Sequence, residues 1–140
     1  MNSVVADTHA IIWYFRSPDK LSPEAIIALD SALNNGCFIY LSAISIIEII
    51  YLVEKNKIPE VALSQLFQFL ADPDIRLKVV PINLSVGKCL TKIPRLIVPE
   101  MGDRIIAATT LYLDLPLVTK DHKIRELSII QTIWDNSNSI

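Results

Sequence analysis

Short apolar runs alternate along the chain with longer stretches in which apolar positions recur every three or four residues, a rhythm of strand and helix. Ser3-Val4-Val5-Ala6 predicts a strand ended by Asp7-Thr8, and Ala10, Ile11, Trp13 and Tyr14 predict the helix that follows, broken at Ser17-Pro18-Asp19. A second helix starts with Ser22 as N-cap and Pro23 at its first position and runs to about Leu33. Asn34-Asn35-Gly36 ends it before a buried strand, Cys37 to Leu41. Ser42 and Ser45 are both possible N-caps for a helix from Ala43 to about Lys55, and Val61 to Leu70 is a further amphipathic helix. Leu77 to Pro81 predicts a third strand and Leu84 to Leu90 a helix, with a proline-punctuated loop from Thr91 to Met101. A helix from Asp103 to Leu113, a strand from Leu115 to Thr119, a turn after Asp121 and a last strand over Ser128 to Thr132 complete the pattern, and the tail from Asp135 to Ile140 is expected to fray.

Strands separated by helices in this way imply parallel βα units. The expected architecture is α/β: a three-layer α/β/α sandwich around a mainly parallel sheet of about five strands, with residues 1–140 forming a single domain. In such sheets, sites form at the carboxyl ends of the strands. Helix 103–113 runs roughly 15 Å at about 1.5 Å per residue. The strand 115–119 returns about 13 Å at roughly 3.3 Å per residue. Packed antiparallel, the pair brings Asp103 and Asp121 to one sheet edge. Asp7, after the first strand, and Glu48, in the early turns of the helix after the second, are placed at the same edge.

Composition narrows what this edge can do. An apolar fraction of 51% and a mean hydropathy of +0.41 suit a sheet covered on both faces and leave apolar surface for a partner. The most apolar stretch, Leu41 to Val53, is interrupted by Glu48 and falls short of the ~18 residues of a membrane span. The start, MNSVVADTHAIIWYF, lacks the basic region of a signal peptide, so a cytoplasmic protein without membrane attachment is expected. Cys37 and Cys89 have no metal-ligand spacing and are read as reduced thiols. A net charge of −2 excludes binding of nucleic acid by bulk positive charge alone. Yet between Asp74 and Glu100 every charged residue is basic: Arg76, Lys78, Lys88, Lys92 and Arg95.

Each of the four acids has a structural alternative: Asp103 as a helix cap, Asp121 opening a turn, Glu48 paired with a cation such as Lys55. Asp7, directly after an apolar strand, is the hardest to explain in that way. Together they form a cluster of carboxylates beside apolar sequence, where isolated ionised acids are costly. Such a cluster calls for a hard divalent cation, Mg²⁺ or Mn²⁺, which takes oxygen ligands. A cation of this kind lowers the pKa of bound water and steadies charge on a phosphate oxygen, so the chemistry indicated is phosphodiester hydrolysis.

The segments DTHAIIWYF (7–15), SAISIIEI (42–49) and DRIIAATTLYLDLPLVTKD (103–121) resemble the PIN-domain family, specifically its VapC-type toxin ribonucleases. The resemblance spans essentially the whole chain and implies a PIN-like fold. It implies a metal-dependent endoribonuclease of a type II toxin–antitoxin pair, with an RNA substrate, a cognate antitoxin as partner and a homodimeric state. By position, Asp7, Glu48, Asp103 and Asp121 correspond to the family's acidic quartet. Where the family often carries a further acid or asparagine two positions after the last aspartate, this chain has Lys123. One firmly held ion is therefore expected, carried mainly by Asp7 and Asp103, with Glu48 and Asp121 completing its shell directly or through water.

Thr8 and Thr119 are read as orienting waters or carboxylates, and Lys92, Arg95, Arg104 and Lys120 as candidate RNA contacts. His9 and Trp13 have bland readings, a locally bonded helix-start histidine and a core tryptophan, beside contact with substrate. A catalytically silent PIN-like domain that binds RNA or protein is the main alternative. A dehalogenase-like phosphatase is disfavoured because His9 stands where its second aspartate is needed, and a receiver domain because Val4-Val5-Ala6 supplies no acidic pair.

Overall fold

Five strands, β1 (Val4–Ala6), β2 (Ile39–Ser42), β3 (Leu77–Val80), β4 (Leu117–Val118) and β5 (Thr132–Ile133), form one sheet in the order β3-β2-β1-β4-β5. The computed structural model describes residues 3–135. Every pairing is parallel, with Val4 opposite Ile39, Val5 opposite both Tyr40 and Leu117, and Ala6 opposite Val118. The helices are α1 (Thr8–Arg16), α2 (Pro23–Asn34), α3 (Ala43–Glu54), α4 (Glu60–Ala71), α5 (Leu84–Leu90), α6 (Met101–Leu113) and α7 (His122–Arg125).

Alternation along β1 assigns the two faces, because successive strand residues point to opposite sides. Val4 and Ala6 pack into a core with Ala10, Ile11, Leu29, Ile49 and Leu66, from α1 to α4. Val5 packs into the other, with Val86, Ile106, Ala107, Ala108 and Ile124 from α5, α6 and α7. The three-layer α/β/α sandwich follows. Its strand order reverses at β1, with β2 and β3 on one side and β4 and β5 on the other. This switch point is where a parallel sheet opens a crevice at its carboxyl edge.

Local chemistry sets the element ends. The Ser22 side chain accepts from Ala25 N with Pro23 at the first turn, and Asn83 caps α5 by accepting from Val86 N at 3.0 Å. Ser42, rather than Ser45, caps α3, accepting from Ile44 N. Helix α6 begins at Met101, two residues before Asp103, and ends at Asp114 in the left-handed conformation. Asp103 is therefore inside the first turn and is not a cap.

Several expectations shift: β2 lies at Ile39–Ser42 instead of Cys37 to Leu41, and β4 is only Leu117–Val118 instead of Leu115 to Thr119. The turn after Asp121 contains the short helix α7, because the Asp121 side chain accepts from both Lys123 N and Ile124 N. The last strand lies at Thr132–Ile133 instead of Ser128 to Thr132, fixed by bonds from Leu117 N to Gln131 O and from Thr119 N to Ile133 O. Of the tail expected to fray, all but Asp135 lies outside the described residues. The outward faces of α3 and α4 carry Ile47, Tyr51, Val61 and Phe67, each about half exposed. Among the described residues no helix is long and apolar enough to cross a membrane.

Candidate active site

Asp7, Glu48, Asp103 and Asp121 line one cleft of about 810 Å³ at the carboxyl edge of the sheet. Four separate stretches of sequence supply them: the β1–α1 junction, the middle of α3, the first turn of α6 and the β4–α7 junction. Hydrogen bonding across the switch point, from Asp7 N to Val118 O at 3.1 Å, holds the first and last of these together.

Two buried threonines set the carboxylates. Asp7 caps α1, with Oδ1 accepting from Ala10 N at 2.8 Å, while Oδ2 accepts from the Thr119 hydroxyl. Thr119 Oγ1 in turn accepts from Asp121 N at 3.0 Å, so one fully buried hydroxyl ties the two strand-end aspartates together. Across the cleft, Thr8 Oγ1 contacts Glu48 Oε1 and lies 2.9 Å from Ser45 Oγ. A hydroxyl has one proton and an ionised carboxylate only accepts, so Thr8 donates to Glu48 and Ser45 donates to Thr8. The two relays are parallel in design: Asp121 N to Thr119 to Asp7, and Ser45 to Thr8 to Glu48.

Gly102 brings Glu48 beside Asp103. A Cβ at position 102 would overlap Glu48 Oε2 and lie 3.1 Å from its Cδ, so with any larger residue there the carboxylate end would have to shift from its place beside the start of α6. Neither Gly102 nor the donor role of Ser45 emerges from the sequence pattern. The one available signal is a glycine in the first turn of a helix, where it costs up to about 1 kcal/mol relative to alanine.

Crowding shows in the acid strengths. Burial pushes the Asp103 carboxyl up to about 6, helped by the negative charges of Asp121, Glu48, Asp7 and Glu100. The Asp7 carboxyl is also raised, first by burial, against the lowering effect of its bonds from Thr119 and Ala10. The charge of His9 also lowers the Asp7 carboxyl, but among the described residues no basic side chain forms an ion pair with any of the four acids; the ion pair found joins Arg125 to Asp135. Glu48 Oε2, Asp121 Oδ2 and both oxygens of Asp103 receive no hydrogen bond among the described residues. As they stand, no three acidic, imidazole or thiol side chains among those residues close around a common point. The donor set is nonetheless the one a hard divalent cation takes, all oxygen and mostly anionic, with mutual repulsion that such a charge would relieve.

Of the candidate RNA contacts, Lys120 lines the cleft, while Lys92 and Arg95 are exposed on the loop before α6 and do not. Arg104 points elsewhere. Its guanidinium donates to Ile93 O at 3.2 and 2.9 Å and to Leu90 O at 3.0 Å, tying the end of α5 and the following loop to α6. His9, Trp13, Tyr51, Lys55 and His122 also line the cleft.

A parallel sheet with acids from four elements gathered at its switch point defines an α/β protein with a carboxylate-lined cleft of the PIN-domain type. A family model described as PIN domain matches residues 4–130. Ribonuclease VapC22 of Mycobacterium tuberculosis is 30% identical over 127 residues, covering 89% of this chain and 92% of that protein. Among solved structures, VapBC2 from Rickettsia felis bound to a promoter DNA fragment superposes with a TM-score of 0.72 at 19% identity, covering 95% of this chain and 99% of that one. DNA-bound VapBC from Salmonella typhimurium superposes with a TM-score of 0.70 at 21% identity, covering 94% and 97%. At these identities the superpositions report fold alone. The chain belongs to the PIN-domain family and is a homologue of its VapC-type toxins.

Proposed function

We propose that this protein is a divalent-metal-dependent endoribonuclease that hydrolyses RNA phosphodiester bonds, acting as the toxin of a type II toxin–antitoxin pair. The observation that carries the reading is the cleft itself: four carboxylates from four elements face one space with no basic side chain paired to any of them among the described residues. Kinship with a protein named as a ribonuclease supports RNA as the substrate. Fold similarity to VapBC complexes supports a cognate antitoxin as partner. The half-exposed apolar residues of α3 and α4 support a homodimer.

Asp7 and Asp103 would hold one Mg²⁺ or Mn²⁺, with Glu48 and Asp121 completing its shell directly or through water. When bound, the ion would supply a water of lowered pKa and positive charge for a phosphate oxygen. Thr119 keeps Asp7 aimed into the cleft and couples it to the position of Asp121. Thr8 does the same for Glu48, and the absence of a side chain at Gly102 lets that carboxylate reach the cluster. Hydrolysis by water leaves a 3′-hydroxyl and a 5′-phosphate and needs no histidine as base.

The test is cleavage of a mixed panel of single-stranded and structured RNAs, in Mg²⁺ or Mn²⁺ against EDTA, by the wild type, Asp7→Asn and Asp103→Asn. Metal-dependent cutting lost in both variants is the expected result. Cutting that survives both substitutions would overturn the assignment, and RNA binding without cutting of any target would favour a silent binding domain.

A further inference from the structure

The acid cleft is a poor place for RNA on electrostatic grounds alone, since carboxylates repel the phosphate chain and the protein as a whole carries a net charge of −2. Binding energy independent of charge has to come from somewhere on its walls. One wall offers it. Trp13 is half-buried on α1, lines the cleft one helical turn beyond Thr8 and His9, and packs against Trp134, with ring centroids 6.2 Å apart. His9, exposed at the cleft mouth, has its ring 5.6 Å from that of Trp13. The exposed Lys120 places Nζ 5.8 Å from the Trp13 ring centroid, one residue before the cleft acid Asp121. An indole packed against Trp134, beside an exposed lysine and next to the acids, has the parts of a single-strand subsite: a stacking surface and a phosphate contact.

We propose that Trp13, with Lys120 beside it, is a nucleobase-stacking platform that seats an unpaired base next to the phosphate to be cut. The proposal deepens the ribonuclease reading and rests on it for the identity of the ligand. Stacking tolerates every base, because each has a π-face, and it requires the base to be splayed out, so the platform selects single-stranded segments over duplex. Lys120 leaves the ring for a phosphate oxygen as the base arrives. Trp13 and Lys120 are positioning residues and take no part in bond breaking.

The experiment measures binding of fluorescein-labelled single-stranded oligoribonucleotides by anisotropy, in Mg²⁺ and in the Asp103→Asn background so that RNA is not consumed. Trp13→Ala is expected to weaken binding roughly 5- to 100-fold, the range for loss of one base–aromatic stack, whereas Trp13→Phe stays within a few-fold of the parent. Lys120→Gln weakens binding and lowers the dependence on salt by close to one phosphate contact. Oligonucleotides carrying a single abasic ribose, walked along the sequence, supply a readout that a packing role would not move. At one position the abasic RNA loses affinity for the parent and none further for Trp13→Ala. Equal loss in Trp13→Phe and Trp13→Ala, an abasic effect unchanged by Trp13→Ala, or unaltered binding by a Trp13→Ala protein of normal thermal stability would each overturn the platform. Failure of the two readings is distinguishable. Metal-dependent cleavage with binding indifferent to Trp13 sinks the platform alone, Trp13-dependent binding without cleavage sinks the nuclease reading alone, and no RNA binding by the parent sinks the platform whatever else the protein does.

Discussion

Thr119 and Asp7, 112 residues apart in sequence, are joined by a hydrogen bond from a fully buried hydroxyl to a carboxylate at the centre of the acid cleft. The bond exists because β1 and β4 are parallel neighbours, so the residues leaving their ends emerge side by side. Thr119→Val keeps the shape and removes both the donor to Asp7 and the acceptor for Asp121 N. Loss of such a supporting partner typically costs roughly 10- to 100-fold in metal affinity or activity. The expected outcome is a loss of this size in Mg²⁺-dependent cleavage, read from the metal titration, with Thr119→Ser restoring most of it. Wild-type metal dependence in Thr119→Val would mean that Asp7 does not need the bond.

Gly102 makes a sharper test, because local propensity and site geometry pull in opposite directions. Alanine in the first turn of α6 is worth up to about 1 kcal/mol over glycine in helix propensity. The same methyl overlaps Glu48 Oε2. Gly102→Ala should therefore leave thermal stability close to wild type while cutting activity at least roughly 10-fold, the scale for disturbing a ligand's support. Gly102→Ala with full activity would show that Glu48 can retreat without consequence.

The raised acid strength of Asp103 predicts a pH dependence opposite to that of a salt-bridged aspartate. Its folded value is about 6 against an ordinary 3.8, so below 3.8 both folded and unfolded chains hold the proton and the contribution is complete. Between 3.8 and about 6 the unfolded chain releases the proton first, and the stability contribution is lost as pH rises through the folded value. Asp7 is shifted in the same direction. In EDTA, the melting temperature should be higher in mildly acidic than in neutral buffer, and Mg²⁺ should raise it more at neutral pH, where the acids are ionised. Asp103→Asn should flatten the EDTA profile. An EDTA profile that instead climbs from mildly acidic to neutral pH would contradict the burial and repulsion assigned to this carboxyl.

The apolar faces of α3 and α4 make the oligomeric state measurable in the same preparation. Val61 and Phe67 of α4 are 50% and 48% exposed, and Ile47 and Tyr51 of α3, at the border of the cleft, are exposed to a similar degree. Sedimentation of the purified chain should give a dimer at micromolar concentration, and a stable soluble monomer without partner would count against it.

How much of this was legible in the sequence differs from residue to residue. Runs such as Val4-Val5-Ala6 and Leu117-Val118 carry the parallel sheet openly, because a strand covered on both faces is apolar throughout. The convergence of Asp7, Glu48, Asp103 and Asp121 follows from strand ends and element lengths, both of which survive errors of a residue or two. What those lengths do not carry is side-chain direction. Ser45 reads in the sequence only as a possible cap, and its role as a donor to Thr8 depends on a neighbour 37 residues away. Gly102 matters only through Glu48, and the position of β5 is set by its pairing with β4, which no local propensity over Ser128 to Thr132 expresses.

Arg104 separates a structural cation from a substrate contact. Its basic charge next to Asp103 suggests phosphate binding in the sequence, but the guanidinium is held by the carbonyls of Leu90 and Ile93 at 2.9 to 3.2 Å. Hydrogen bonds to a charged group are worth about 1.5 to 3 kcal/mol each, with losses that do not simply add. Arg104→Ala should lower the melting temperature by several degrees, about the shift that 1 to 3 kcal/mol produces in a domain of this size. Arg104→Lys should rescue little, since a single ammonium cannot reproduce the planar fork that spans two carbonyls. At a temperature where the variant is fully folded, the salt dependence of RNA binding should match wild type. A variant of wild-type stability whose RNA affinity falls and whose salt slope drops by about one contact would instead place Arg104 on the phosphate backbone.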